Sequence, residues 1–136
     1  MATELFVDTS AWYTLALPSA PQHAKASDAL RQRIQRGARI VTTNLVVGET
    51  HALLLRRVSR AVALTFVREV RRAPNIVVES SAEYEELAVT DWLERFDDQS
   101  FSYTDAVSFA VMSDRGVREA LALDHRFAVA GFVVVP

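Results

Sequence analysis

Short apolar runs alternate with longer amphipathic segments along the chain, and this alternation is what most constrains the fold. Strands separated by helical segments predict parallel β–α units with right-handed crossovers. The strand interiors show no clear apolar–polar alternation, which indicates burial on both faces. We therefore predict an α/β fold, a three-layer helix–sheet–helix sandwich around a central, mainly parallel five-stranded sheet. The predicted strands are Leu5–Val7, Arg39–Thr42, Ile76–Val78, Ala120–Leu123 and Phe132–Val135.

The segments between these runs carry helix start and stop signals. Ser, Thr and Asn are common N-caps because their side-chain oxygens accept hydrogen bonds from the free N–H groups of the first turn. Gly and Pro often follow the last turn. The predicted helices are about His23–Arg36, ending before Gly37; LVVGETHALLLRRV, capped by Asn44; a helix capped by Ser59 and stopped by Pro74; Ser81–Leu93; and one from Ser102 or Thr104 through Met112, ending before Gly116.

Length and composition fit one ordinary domain, residues 1–136, because half of the chain is apolar and able to form a core. The absence of cysteine excludes disulfides, thiol nucleophiles and zinc–thiolate sites. It also fits a reducing compartment, and we expect the cytoplasm. No apolar run has the length of a membrane span, and no signal-peptide pattern opens the sequence.

Charge is unevenly distributed although the net charge is only −2. Residues 31–72 hold ten of the fourteen arginines and only two acids, whereas residues 79–98 hold eight acids and one arginine. The planar guanidinium suits phosphate contacts. Solvated helix faces explain most of these charges equally well, so composition alone does not indicate nucleic-acid binding.

Four acids stand in unusual settings. Asp8 and Asp124 each end a predicted strand, and in open parallel sheets ligands bind outside the carboxyl ends of strands. Asp105 shares a helical face with Phe109, which directs it inward. Glu49 lies in an otherwise apolar helix that we expect to be buried, where an unpaired carboxylate is costly.

Each acid also has a purely structural explanation. Asp8 and Asp124 could cap the turns that follow them, and Asp105 lies three residues after Ser102 in a capping-box pattern. Arg56 or Arg57 could pair with Glu49. If the four acids converge, however, their like charges cannot all ionise without help.

A hard divalent cation would resolve that repulsion, and Mg²⁺ or Mn²⁺ suits an all-oxygen cluster. Such a site serves phosphate chemistry, because the metal polarises phosphoryl oxygens and activates water. A zinc site using His51 and His125 is weaker, because no two histidines have ligand spacing on one helix. The predicted supporting polar residues are Thr9, Ser10, Asn44 and Thr104; the residues predicted to contact the backbone of a phosphate-bearing substrate are Arg39, Arg56, Arg57 and His125.

Four segments together carry a family resemblance: FVDTSAW, TTNLVVGETHALL, SYTDAVSFAVM and ALALDHRFAVAGF. In this order, and over nearly the whole chain, they resemble a PIN-domain ribonuclease, specifically the VapC toxin of a VapBC toxin–antitoxin pair. The resemblance implies that the family's quartet of metal-binding, catalytic acids maps onto Asp8, Glu49, Asp105 and Asp124. A hydroxyl that supports the first acid maps onto Thr9 or Ser10.

The resemblance also implies an activity and partners. The expected activity is cleavage of RNA, often tRNA or rRNA, with Mg²⁺ or Mn²⁺, by in-line attack of water that leaves a 5′-phosphate and a 3′-hydroxyl. The expected assembly is a homodimer inhibited by a VapB-type antitoxin. DNA is expected only indirectly, through the antitoxin.

Two other classes of function stay open. A metal-dependent phosphatase is the enzymatic alternative, although a haloacid-dehalogenase-like enzyme needs an acid where Ser10 stands, and a phospho-receiver domain needs a late lysine where the chain has only Lys25. A non-catalytic module that binds protein or RNA is the other alternative. Metal titration would separate it, because a pure binding module needs no saturable Mg²⁺ or Mn²⁺ site.

Overall fold

A computed structural model describes residues 3–136, so the first two residues of the predicted domain 1–136 lie outside the described part. Within this range five strands form one sheet in the order β3-β2-β1-β4-β5, and every neighbouring pair is parallel. The predicted α/β architecture is therefore confirmed, with a sheet that is entirely rather than mainly parallel. The strands are β1 Glu4–Val7, β2 Arg39–Thr43, β3 Ile76–Val78, β4 Glu119–Leu121 and β5 Val133–Val135.

Helices connect the strands and cover both faces of the sheet. Odd and even positions of β1 face opposite sides, as the pleat requires. Leu5 and Val7 pack in a core cluster with Ala11 and Ala29, whereas Phe6 packs with the aromatic cluster around Phe109. The helices are α1 Thr9–Leu15, α2 His23–Gln35, α3 Asn44–Arg57, α4 Arg60–Val70, α5 Ala82–Leu87, a π-helix Ala88–Glu94, α6 Tyr103–Arg115 and α7 Arg126–Val129.

Side-chain caps begin several of these helices, and one predicted cap is wrong. Ser59 and Ser102 cap α4 and α6 as expected, each by accepting a backbone N–H hydrogen bond. Thr43, not Asn44, caps α3 by accepting from the N–H of Val46 at 3.1 Å. Asn44 is already helical, and its side-chain oxygen instead accepts from the N–H of Ser80 at 2.8 Å, which ties the ends of β2 and β3 together.

Several predicted boundaries shift. Strand β4 lies one to two residues earlier than Ala120–Leu123, β2 gains Thr43, and β5 loses Phe132. The helix predicted over Ser81–Leu93 begins after its cap Ser81 but widens into the π-helix from Ala88, a rare local form that the apolar pattern does not signal. Helix α6 runs to Arg115 and ends at Gly116, whose φ of 70° is a left-handed conformation that favours glycine.

The sheet order determines where the polar strand ends meet. Strand β1 is central, with β2 on one side and β4 on the other. The residues after β1, β2 and β4 therefore lie along one edge of the sheet, at a point where the strand order reverses direction.

None of the helices within residues 3–136 has the length and apolar character that crossing a membrane requires.

Candidate active site

Asp8 follows β1 and begins α1. Its backbone N–H donates to the carbonyl of Leu121 on β4 at 3.1 Å, which continues the sheet. Its carboxylate accepts from the N–H of Ser10 at 3.3 Å and so acts as the N-cap of α1. The residue is only 3% exposed. The predicted capping role is thus confirmed, and it leaves the acid buried at the carboxyl edge of the sheet.

Ser10 connects this carboxylate to the neighbouring strand. Its Oγ donates to Oδ2 of Asp8 at 2.9 Å and accepts from the N–H of Leu123 at 3.0 Å. Of the two hydroxyls predicted to support Asp8, Ser10 is therefore the one in contact. The hydroxyl of Thr9 is buried and has no hydrogen-bond partner within residues 3–136.

Asp105 lies in the first turn of α6 and takes part in the predicted capping box. Its N–H donates to Oγ of Ser102, and its own Oδ2 accepts from the N–H of Ser102, both at 3.0 Å. It is also 3% exposed, which confirms the inward direction predicted from its spacing to Phe109. Thr104, predicted as a supporting polar residue, is half-buried, and its backbone carbonyl accepts from Oγ of Ser108.

Asp124 follows β4 and organises the turn into α7. Its Oδ1 accepts from the backbone N–H of Arg126 at 2.9 Å, so its predicted capping role is confirmed too. Partial burial opposes ionisation, but the hydrogen bonds from the side chain and backbone of Arg126 outweigh it and hold the pKa of Asp124 below its ordinary value.

Arg126 joins two of the acids, and the sequence interpretation missed it. Its Nη1 donates to Oδ2 of Asp105 at 3.0 Å, and its Nη2 donates to Oδ2 of Asp124 at 2.9 Å. The carboxylates raise the pKa of Arg126 above its already high value, so it stays charged. The spacing Asp-His-Arg was a signal only for the backbone contact, because an Asp side chain often accepts from the backbone N–H two residues on.

The surroundings of Asp8 in this pocket disfavour its ionised form. Burial, with a smaller contribution from the nearby charge of Asp105, raises the pKa of Asp8 to about 6 against the hydrogen bond from Ser10. Asp8 and Asp105 are thus electrostatically coupled, and Arg126 neutralises part of their charge. Three of the four acids predicted to converge, all of them aspartates, therefore lie at one edge of the sheet.

Glu49 differs from expectation. It lies on α3, which follows β2 next to the central strand, but the side chain is exposed rather than buried. Only Val46, Val47, Thr50 and Leu54 of that helix are buried. The apolar composition misled the prediction, because other apolar residues of α3, Leu55 among them, face solvent. Neither Arg56 nor Arg57 forms an ion pair with Glu49 in the part of the chain described.

The predicted RNA contacts are spread over the surface. Arg39 begins β2, at the opposite, amino edge of the sheet, and pairs with Glu4 at 3.3 Å. It is therefore not part of the aspartate site. Arg56 and Arg57 are exposed in the last turn of α3. His125 is exposed between Asp124 and Arg126, so it alone of the four directly adjoins the site.

The donor set fits a hard divalent cation in its chemistry. All its candidate ligands are carboxylate oxygens. Two of the acids, Asp8 and Asp105, are buried, and their negative charges repel each other. The side chains are not yet arranged as ligands: over residues 3–136, no three His, Cys, Asp or Glu side chains are grouped so that they could hold a metal ion. Arg126 lies against Asp105 and Asp124, and Glu49 faces solvent.

This constellation of aspartates at the switch point of a parallel sheet agrees with the family comparison. The chain belongs to the PIN domain family, whose pattern matches residues 5–133. Within that family it is a relative of the VapC toxins. It is 38% identical over 132 residues to the 23S rRNA-specific endonuclease VapC20 from two strains of Mycobacterium tuberculosis, covering 96% of this chain and 97% of that protein.

Solved structures agree with this assignment. The crystal structure of Mycobacterium tuberculosis VapC20, described as a sarcin–ricin loop cleaving toxin, superimposes with a TM-score of 0.87 and 36% identity, covering 97% of this chain and 99% of that one. VapBC2 from Rickettsia felis, bound to a promoter DNA fragment, has a TM-score of 0.72 at 10% identity over 97% of each chain. FitAcB from Neisseria gonorrhoeae has a TM-score of 0.69 at 10% identity, over 97% and 96% of the two chains. The last two show likeness of fold alone.

Proposed function

We propose that this protein is the toxin of a type II toxin–antitoxin pair and an endoribonuclease that hydrolyses phosphodiester bonds of RNA. The observation that carries the proposal is the 38% identity to an rRNA-specific endonuclease along 96% of the chain. The buried, coupled aspartates at the carboxyl edge of the sheet support it, because charge repulsion of this kind is typical of a site that binds a cation or a proton. Of the two RNA classes expected from sequence, rRNA is favoured by the named target of that relative.

We propose that Asp8, Asp105 and Asp124, with Glu49 at the solvent side, hold Mg²⁺ or Mn²⁺. When bound, such a cation supplies charge stabilisation to the phosphoryl oxygens and lowers the pKa of a coordinated water. The sheet edge and the capping interactions hold the three aspartates in place, and Ser10 orients Asp8. Burial raises the pKa of Asp8 to about 6, so this carboxyl is half ionised near that pH and cation binding and activity are expected to rise across it.

The proposed reaction is hydrolysis of a phosphodiester bond of the RNA. A water oxygen bonds to the scissile phosphorus while the bond from phosphorus to the 3′ oxygen breaks; the water releases a proton, and the 3′ oxygen takes one up, so that one water is added across the bond. The products are a 5′-phosphate and a 3′-hydroxyl. Arg56, Arg57 and His125 are proposed to contact the RNA backbone, with His125 nearest to the aspartates.

The proposed partners follow from the toxin assignment. A cognate VapB-type antitoxin inhibits the protein, and any promoter DNA is contacted through that antitoxin. A homodimer is supported by three exposed apolar side chains: Leu55 on α3, Val58 directly after that helix, and Leu64 on α4. We place the protein in the cytoplasm, where its RNA substrate is found.

The test is an RNA cleavage assay with purified, antitoxin-free protein. Ribosomes, total rRNA and total tRNA are incubated with Mn²⁺ or Mg²⁺, with EDTA as one control and Asp105→Asn as another. Asp114→Asn is the matched variant, because it removes a carboxylate from the same helix at an exposed position where it accepts from Tyr84. We expect discrete fragments with 5′-phosphate ends from the wild type and Asp114→Asn, and none from Asp105→Asn or with EDTA.

Other outcomes separate the alternatives. Full activity of a correctly folded Asp105→Asn variant would refute the site assignment. Hydrolysis of small phosphomonoesters without RNA cleavage would favour a phosphatase. A protein that binds neither cation and cleaves no RNA would instead favour a non-catalytic binding module.

A further inference from the structure

We propose that Arg126 is an internal competitor of the divalent cation: its guanidinium holds Asp105 and Asp124 together and must withdraw before a cation can bind both. The inference rests on the proposed metal-dependent function and adds a positioning residue to the site. Arg126 is neither an acid of the quartet nor one of the predicted RNA contacts.

Arg126 is hydrogen-bonded to two of the proposed metal ligands. One guanidinium nitrogen donates to Asp105 at 3.0 Å and another to Asp124 at 2.9 Å. Both acceptors are Oδ2 atoms of residues expected to bind a cation. Charge-assisted hydrogen bonds of this length are strong. A cation bound to the same two carboxylates needs those oxygens and would lie next to a fixed positive charge, so the two arrangements compete.

Because these acids are buried, they need a positively charged partner when no metal ion is bound. The side chains of Asp105 and Asp124 are 5% and 26% exposed. Buried carboxylates without a positive partner are costly. The buried Asp8 adds a third negative charge to the same pocket and interacts favourably with Arg126. The guanidinium therefore stabilises the folded protein before any metal is bound.

The position of Arg126 allows it to leave. Its side chain is 42% exposed, so the guanidinium reaches solvent without unpacking the core. Residue Phe127 beside it is fully buried against Phe6 and Phe109 and keeps the short helix α7 attached while the arginine moves.

Binding of Mn²⁺ alone, measured by isothermal titration calorimetry, tests the competition. We compare the wild type with Arg126→Gln, Arg126→Lys and the control Arg118→Gln. Arg118 is exposed just before β4, at the opposite edge of the sheet, so its replacement changes net charge equally without touching the site. We expect Arg126→Gln to bind Mn²⁺ about tenfold or more tightly, because the variant loses two charge-assisted hydrogen bonds and even one of them is worth about a factor of ten.

A second readout separates competition from a merely structural role. Thermal unfolding in EDTA is expected to show a lower Tm for Arg126→Gln than for the wild type, and saturating Mn²⁺ is expected to raise the Tm of the variant more. Arg126→Lys is expected to lie between the two in affinity, because an ammonium is a point charge that lacks the planar fork. It also serves as the informative variant if Arg126→Gln fails to fold.

The results distinguish this inference from the proposed function. Wild-type binding of Mn²⁺ with equal or weaker binding by a folded Arg126→Gln, or by Arg126→Lys in its place, overturns the competition and leaves the ribonuclease assignment standing. A similar gain in affinity in Arg118→Gln also overturns it, because net charge would then be the cause. If neither the wild type nor the variants bind Mn²⁺, while RNA is cleaved in EDTA, both the competition and the metal dependence fail.

Discussion

The replacement Asp8→Asn is expected to change how folding stability depends on pH. Burial, opposed by Ser10 and assisted by Asp105, raises the pKa of Asp8 from 3.8 to about 6. Between these values the unfolded chain has released its proton and the folded protein still holds it. The free energy of unfolding therefore falls as pH rises through this window, and it stays lower above pH 6.

The magnitude follows from the width of the window. Each pH unit that separates the folded and unfolded pKa values is worth about 1.4 kcal/mol, so the ionised Asp8 costs about 3 kcal/mol of stability at pH 7. Because the residue is only 3% exposed, little of this is screened by solvent. Asparagine retains an oxygen that accepts from Ser10 but carries no charge, so the variant escapes the loss.

Urea unfolding of metal-free protein at several pH values between 4 and 8 measures the effect. We expect the stability of Asp8→Asn minus that of the wild type to grow by about 2.4 kcal/mol from pH 4 to pH 7, because the carboxyl of the unfolded chain is already partly ionised at pH 4. Asp28→Asn, which removes an exposed carboxylate from α2, is the control and is expected to run parallel to the wild type. Parallel curves for Asp8→Asn and the wild type would refute the electrostatic reasoning, and saturating Mn²⁺ is expected to reverse the order of stability.

Two further changes probe the site and the opposite edge of the sheet. Ser10→Ala removes the hydrogen bond that lowers the pKa of Asp8, so Mn²⁺ affinity is expected to drop more at pH 6 than at pH 8; an equal drop at both would contradict this. Glu4→Gln breaks the pair with Arg115 at 2.8 Å, which holds the pKa of Glu4 below its ordinary value. We expect a loss of about 1 kcal/mol in urea unfolding at pH 7 that disappears as the pH falls through the lowered pKa, and an unchanged difference at low pH would count against it.

The capping and site interpretations of the aspartates turned out to be compatible. Asp8, Asp105 and Asp124 each cap a local backbone segment and yet lie together at one sheet edge. The local hydrogen bonds fix the position of each carboxylate relative to its own backbone segment. The sheet order then determines which carboxylates become neighbours. A capping explanation for an acid at a strand end therefore does not argue against a functional one.

The exposure of Glu49 and the contacts of Arg126 were not predicted from the sequence. The apolar pattern of α3 indicated a helix and placed Glu49 on it, but not the depth at which the helix packs, and the glutamate proved to be exposed. Arg126 reaches Asp105 across 21 positions of the chain. Neither the exposure nor this contact follows from local spacing.

The sequence by itself determined the alternation of strands and helices, most of the caps, the inward direction of Asp105 and the placement of Asp8 and Asp124 near strand ends. These features depend on residues within a few positions of one another, which is the range of backbone hydrogen bonding and helical or pleated periodicity. Only the tertiary structure decided the parallel order around β1, the exposure of Glu49 and the guanidinium that joins two aspartates. Those depend on which distant segments pack together, because burial and charge pairing are properties of the assembled fold.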